Sequence, residues 1–397
     1  MAAKKFLCAV IGALVSIPAT AATQPQAMDM GPLKFVPTLG LSHRYDDNIF
    51  RQAEPNEVDS WVTVAAPQLQ LIGEKDANMF ALTYMGDYGI YADSSADNYT
   101  DHTLSLDAML EANDQNRFKL AASTAMLHDN RGEGSSEGVI AGSRAEPDEY
   151  DATGISGVYD FGHETAVFGL ALSAGTTDVE YQNNLSETSF RDRNDTDLGI
   201  KLYGRLSGKT RAFVELVKRE IDYDVTPIAG AILDSEEQNV LVGAEWDITG
   251  KTTGSVKVGR LDKDFEAASL TDSDFVNWQA MVSWAPRSYS LLSLVASKTP
   301  QETNGTGSFI ESSSYSLFWM HDWSDRLHSS VDAGFGKDIF VDDPRIDDRK
   351  NYGISLNYDF DRWFNVGVGY VYTDRESNAN QFDFDRGQFR LSLSASL

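Results

Sequence analysis

Two Gly-Lys-Thr tripeptides, Gly208-Lys209-Thr210 and Gly250-Lys251-Thr252, have the residue types of a phosphate-binding loop. That chemistry also needs a glycine five positions before the second one, so that backbone N–H groups can curl around phosphates. Tyr203 and Glu245 occupy those places. Gly-Lys there reads as ordinary hairpin chemistry. A barrel hydrolase would draw its acids and bases from Asp46-Asp47, Asp101-His102 and His321-Asp322. Neighbouring residues on a strand point to opposite faces, so neither imidazole is oriented by the carboxylate beside it. The acidic runs Asp342-Asp343, Asp347-Asp348 and Asp192 to Asp197 lack the twelve-residue loop, central glycine and closing glutamate of a calcium loop. No catalytic residue, cofactor site or metal site is assigned from these patterns.

The elements that would carry such residues are strands. In Asn239 to Ile248, Val240, Val242, Ala244, Trp246 and Ile248 share one face and Gly243, Glu245 and Asp247 the other. The same period of two runs through Phe275 to Trp284 and Tyr352 to Phe360. Short turns, such as Glu74 to Asn78 and Ser324 to Arg326, alternate with long loops, such as Asp46 to Val58, Asp129 to Pro147 and Thr299 to Phe309. This rhythm predicts an all-β, antiparallel up-and-down transmembrane barrel of about 18 strands, 16 being the alternative. Both termini then fall on the short-turn side, which in bacterial barrels is the periplasm. A soluble sandwich of that many strands, each 10 or more residues long, would leave aggregating edges that closure removes.

Lys4 and Lys5, the apolar run from Phe6 to Ile17 and Ala19-Thr20-Ala21 have the order of a secretory signal peptide. The expected organisation is a signal peptide at 1–21, a short periplasmic segment at 22–33 and an outer-membrane barrel at 34–397 of a Gram-negative cell. Cys8, the single cysteine, lies in the leader, so the mature chain has no thiol chemistry. A net charge of −27 argues against nucleic acid as a partner. Periodic apolar residues and an 11% aromatic content argue against an acidic disordered chain.

Projecting the clearer strands inward gives the lumen Asp87, Asp107, Glu111, Glu245, Asp247, Asp332, Asp338 and Asp359 against Lys201, Arg205 and Lys257. Charges on a lipid face cost about 2–4 kcal/mol at midplane, which drives such groups inside. An acidic wall of this kind predicts cation selectivity. Trp246, Trp284, Trp323 and Trp363 sit beside short turns and form the expected periplasmic aromatic girdle against outer-membrane lipid. The Gly-rich segment Asp129 to Pro147 is the longest loop and is expected to fold into the lumen as a partial plug.

At the first long loop the chain reads Tyr45-Asp46-Asp47-Asn48-Ile49-Phe50, followed by Asp59 and Pro67-Gln68-Leu69-Gln70-Leu71. This block resembles the bacterial family called putative β-barrel porin 2. The resemblance implies an exit conduit for exopolysaccharide or capsular polysaccharide, fed by a periplasmic polysaccharide-export protein and inserted by the barrel-assembly machinery. The residues themselves have a structural reading. Asp46, Asp47 and Asn48 can hydrogen-bond backbone at the strand-to-loop transition, and Ile49 and Phe50 can fold back as an apolar clasp. The alternative function is a general or substrate-specific diffusion porin for small solutes. A barrel enzyme is the third reading.

Overall fold

The computed structural model describes residues 27–162, 166–225, 230–247 and 251–396. The leader, His163, Ile248, the second Gly-Lys-Thr glycine and Leu397 lie outside the described residues. Nineteen strands form one sheet. The first, β1 (Met28–Met30), is a stub that pairs with the start of β2 (Leu33–Asp46). It lies within the segment expected to be merely a lead-in; Gly31, with φ of +73°, makes the turn that folds it back.

Eighteen strands then run in order: β2, β3 (Ser60–Lys75), β4 (Asn78–Tyr91), β5 (Tyr99–Asn113), β6 (Asn116–Asp129), β7 (Asp148–Phe161) and β8 (Phe168–Tyr181). Next come β9 (Arg193–Ser207), β10 (Thr210–Tyr223), β11 (Ser235–Asp247), β12 (Thr252–Phe265) and β13 (Ser273–Arg287). The circuit ends with β14 (Ser290–Glu302), β15 (Phe309–Asp322), β16 (Leu327–Phe340), β17 (Ile346–Asp361), β18 (Phe364–Ser377) and β19 (Phe384–Ser396). Each pairs antiparallel with its sequence neighbours, and β19 pairs with β2 through Leu393↔Leu41 to close the ring. Closure leaves no edge through the body of the barrel, so its strands can satisfy their backbone groups where no water reaches.

Alternation sets the two surfaces. Leu198, Ile200 and Leu202 on β9, Val240 and Val242 on β11, and Ile354 and Leu356 on β17 are all exposed on the outer face. Their even-numbered spacing sends the odd-numbered polar residues of the same strands inward. The strands are 13 to 16 residues long, more than the roughly 9–11 needed to cross a bilayer, so they project beyond it. Both described ends lie on the short-turn side: Ser396 N–H donates to the Trp363 carbonyl, and Leu33 pairs with Gly73.

One expected boundary differs. The Thr299 to Phe309 loop shrinks to 303–308, because β14 and β15 stay paired through Pro300↔Glu311 up to Glu302↔Phe309. Pro300 is tolerated because β13 stops pairing with β14 above Trp278↔Lys298, which leaves β14 a free edge there. The released hairpin top leans inward: Glu302 ion-pairs Lys263 (2.9 Å) and accepts a bond from the Tyr223 hydroxyl (2.7 Å).

Candidate functional site

The lumen wall is built by strand parity. Asp87, Asp107, Glu111, Glu245, Asp247, Asp332, Asp338 and Asp359 occupy inward positions, as do Lys201, Arg205 and Lys257. Most are answered locally. Glu245 ion-pairs Lys201 and Arg211, Asp338 pairs with Arg349 (2.6 Å), Lys257 with Glu215 (3.0 Å), and Asp87 accepts from the Tyr99 hydroxyl (3.0 Å). Asp359 takes His328 (3.0 Å) and Asn365 (2.6 Å). Arg205 donates to the Ala166 and Gly208 carbonyls.

The count of eight acids against three bases is corrected here. The same parity places Arg44, Arg117, Arg211, Arg219, Arg349 and Arg390 on the inner wall, together with the further acids Asp160, Asp195 and Glu215, so it is a mosaic of both signs. Five of the six lie on β2, β6, β10 and β19, none of which entered the projection from sequence. Cation selectivity therefore does not follow from that count.

The remaining candidates divide by surface. Trp284, Trp323 and Trp363 are exposed on the outside at the short-turn end, and Trp246 is half-buried beside them in level. Asp101 engages His128 (2.8 Å) rather than its neighbour His102, which faces Tyr84 (2.9 Å); Asp322 likewise engages His328 (2.7 Å), not His321. Gly134-Ser135-Ser136-Glu137-Gly138 has the spacing of a nucleophile elbow. It lies in a loop without the flanking strand and helix, and the buried Ser136 hydroxyl is spent on the Glu133 carbonyl and the Gly132 N–H. Asp342 accepts from Thr271 and Ser308, and Asp347 is held by Arg345, so these acids are used in protein hydrogen bonds. Among the described residues no cluster of three or more metal-ligating side chains converges.

The Tyr45 to Phe50 block sits at the loop-side end of the β19–β2 seam. Asp46, fully buried, receives Arg386 through both oxygens and Gln388 at 2.7 Å. Asp47 accepts the Gly387 N–H (2.7 Å), and Asn48 donates to the Gln52 and Asp385 carbonyls (2.8 and 2.9 Å). Tyr45 reaches Asp59 (3.0 Å). Ile49 and Phe50 pack with Val62, Val64, Tyr91 and Ala141. Two features were not legible in the motif. The bonds cross to the last strand, and Ala141 belongs to the long loop.

That loop, 130–147, spans the mouth. On its own side Arg131 pairs with Asp97 (Nε to Oδ1, 2.6 Å) and stacks over Phe50 (4.0 Å), and Arg144 contacts Asp148 (3.5 Å). Gly132, φ +87°, lies so close to Phe50 that a Cβ would fall 1.9 Å from its carbonyl oxygen. Glu133 pairs with Arg51. Burial pushes its carboxyl up, but the Arg51 charge and Asn130 hydrogen bonds outweigh this and hold it at about 2. The far end is pinned by Glu137, which meets Arg375 (2.6 Å), Arg345 (2.8 Å) and Asn304 (2.9 Å). Asn304 belongs to the β14–β15 hairpin, eight strands from β6 in a ring of eighteen and so nearly opposite. The loop thus crosses the opening and is fixed at both sides. Arg345, between Phe340 and Phe382, is buried and also held by Asp347.

A closed barrel with an apolar outer band, a charged inner wall and a loop across one mouth is an outer-membrane porin architecture. The chain belongs to the putative beta-barrel porin 2 family, whose family model matches residues 21–397. No curated protein sequence matches it. Among solved structures it is similar to Pseudomonas aeruginosa OpdK with vanillate, at 17% identity and a TM-score of 0.50, covering 91% of this chain and 98% of that one. It is similar also to P. aeruginosa OccK2 (OpdF), at 13% identity and TM-score 0.50, with the same coverage. At these identities the likeness concerns the fold.

Proposed function

We propose that this chain is a diffusion porin for small hydrophilic solutes, resident in the outer membrane of a Gram-negative cell. The leader directs export, the barrel-assembly machinery inserts the strands, and both ends face the periplasm. The observation that carries this reading is the Glu137 anchor. A loop tied to opposite walls divides the mouth, and a narrowed opening suits solutes of a few atoms across better than a continuous polymer. OpdK was solved with vanillate, a solute on that scale.

Polysaccharide export, which the family resemblance implies, would need the polymer to thread past the same loop and its ion pairs. Deleting the gene distinguishes the two functions. Surface polysaccharide should be unchanged, while uptake of small solutes at limiting concentration should slow. Loss of surface polymer with normal uptake would establish the conduit and its periplasmic export partner instead.

A further inference from the structure

At one place on the inner wall two arginines face each other without a counter-charge. At the seam, register sets Arg44 of β2 directly opposite Arg390 of β19, two residues below the Asp46↔Gln388 pair. Like charges facing each other across a strand pair destabilise the sheet, and half-buried guanidinium groups without acceptors add a desolvation cost. Other inner-wall arginines have partners: Arg386 has Asp46, Arg211 has Glu245, Arg219 has Asp195, and Arg349 has Asp338. Among the described residues neither Arg44 nor Arg390 has an ion-pair or hydrogen-bond acceptor, and the Arg44 Nε is buried without one. The nearby acids are committed elsewhere, Asp46 to Arg386 and Gln388, and Asp87 to Tyr99.

The surroundings have the shape of a receptor. Directly below the pair, Ser42 faces Ser392 on the same inner surface. On the other side of β19, Gly369 of β18 lies opposite Arg390, so no side chain at that position screens the guanidinium. Gly367 lies opposite Ser392, and a Cβ there would fall 2.4 Å from the Asn357 Oδ1 and 2.5 Å from the Ser392 Oγ, so only glycine leaves room for both polar groups.

We propose that Arg44 and Arg390, with Ser42 and Ser392 beneath them, form an oxyanion site on the permeation path that takes the carboxylate or phosphate group of a passing solute. A bound oxyanion supplies the counter-charge both arginines lack, and the guanidinium fork matches such groups through paired hydrogen bonds. Retention must be weak enough for release, so the site favours organic anions in transit without storing them. This inference rests on the diffusion-porin reading for its physiological sense.

Calorimetric titration of the full-length protein in detergent, with sodium benzoate and separately with sodium phosphate, reads the site without requiring permeation. The wild type should bind at least one probe. The double variant Arg44→Gln, Arg390→Gln should bind it about tenfold more weakly, roughly the loss of one charge-assisted contact, and the double variant Arg44→Lys, Arg390→Lys should keep part of the affinity. Benzoate alone assigns carboxylates, and phosphate alone assigns phosphorylated solutes. Should the double variant fail to assemble, Arg390→Gln alone carries the comparison, since it relieves the like-charge pair. Failure of the wild type to bind either probe, or wild-type binding by the Gln variant, overturns the site. Glucose influx into liposomes carrying the wild type reads the channel itself. Its absence in the wild type would sink the porin reading while leaving a positive binding result intact.

Discussion

Deleting Arg131 to Ser143 should raise single-channel conductance several-fold and sensitise cells to bulky antibiotics, with the barrel still assembled. The strands do not depend on this segment for pairing: β6 and β7 are joined along their whole length, from Asn116↔Phe161 to Asp129↔Asp148. What the deletion removes is the crossing itself, with its contacts to Asp97, Arg51, Arg345 and Arg375. The milder variant Glu137→Gln keeps the backbone but strips the charge that holds the far end. Removing one partner of a buried ion pair costs about 3–5 kcal/mol; Glu137 keeps some solvent contact, so about 2 kcal/mol is the better figure for loop docking. That shifts the docked-to-undocked ratio more than tenfold and should appear as frequent conductance steps upward. Unchanged conductance and antibiotic sensitivity in the deletion variant would place the loop outside the conducting path.

The second large effect is at the seam. Asp46→Ala should lower the temperature at which the protein loses its compact mobility on unboiled gels, because Asp46 is fully buried and its loss strands the Arg386 guanidinium. The cost expected is about 3–5 kcal/mol. It also removes the acceptor for Gln388 and for the Asn48 N–H, so the strand-to-loop turn loosens with the closure pair. Asp47→Ala is the control. Asp47 is exposed and accepts one backbone bond from Gly387, worth about 1 kcal/mol. Equal shifts for the two variants would remove Asp46 from its place as the closure pin.

Much of the barrel was legible because one periodicity carries it. Val240 to Trp246 on β11 and Tyr352 to Phe360 on β17 alternate so regularly that their faces follow from parity alone. The turn-and-loop rhythm likewise gives the number of strands. The hairpin top at Pro300 did not follow, because proline ordinarily ends a strand and its tolerance here depends on β13 releasing β14. Arg386 is unremarkable in sequence, and its pairing with Asp46 exists only once the ring closes, 340 residues apart. Glu137 is equally silent. Its partners Asn304, Arg345 and Arg375 come from three distant stretches, and no local pattern brings them together. That the long loop folds inward was expected from its glycine content and length, whereas the side chain that fixes it across the mouth was not. Arg44 and Arg390 were missed for a different reason: each fits the polar half of its own strand's alternation, and only register sets them face to face.

Liposome swelling with a graded series of neutral sugars, using the full-length protein, tests the central claim most directly. A mouth narrowed by a loop fixed at both sides should admit pentoses and hexoses readily, disaccharides slowly and longer oligosaccharides hardly at all. Oligosaccharides entering as fast as pentoses would contradict the account, as would a protein that assembles as a barrel yet passes no sugar.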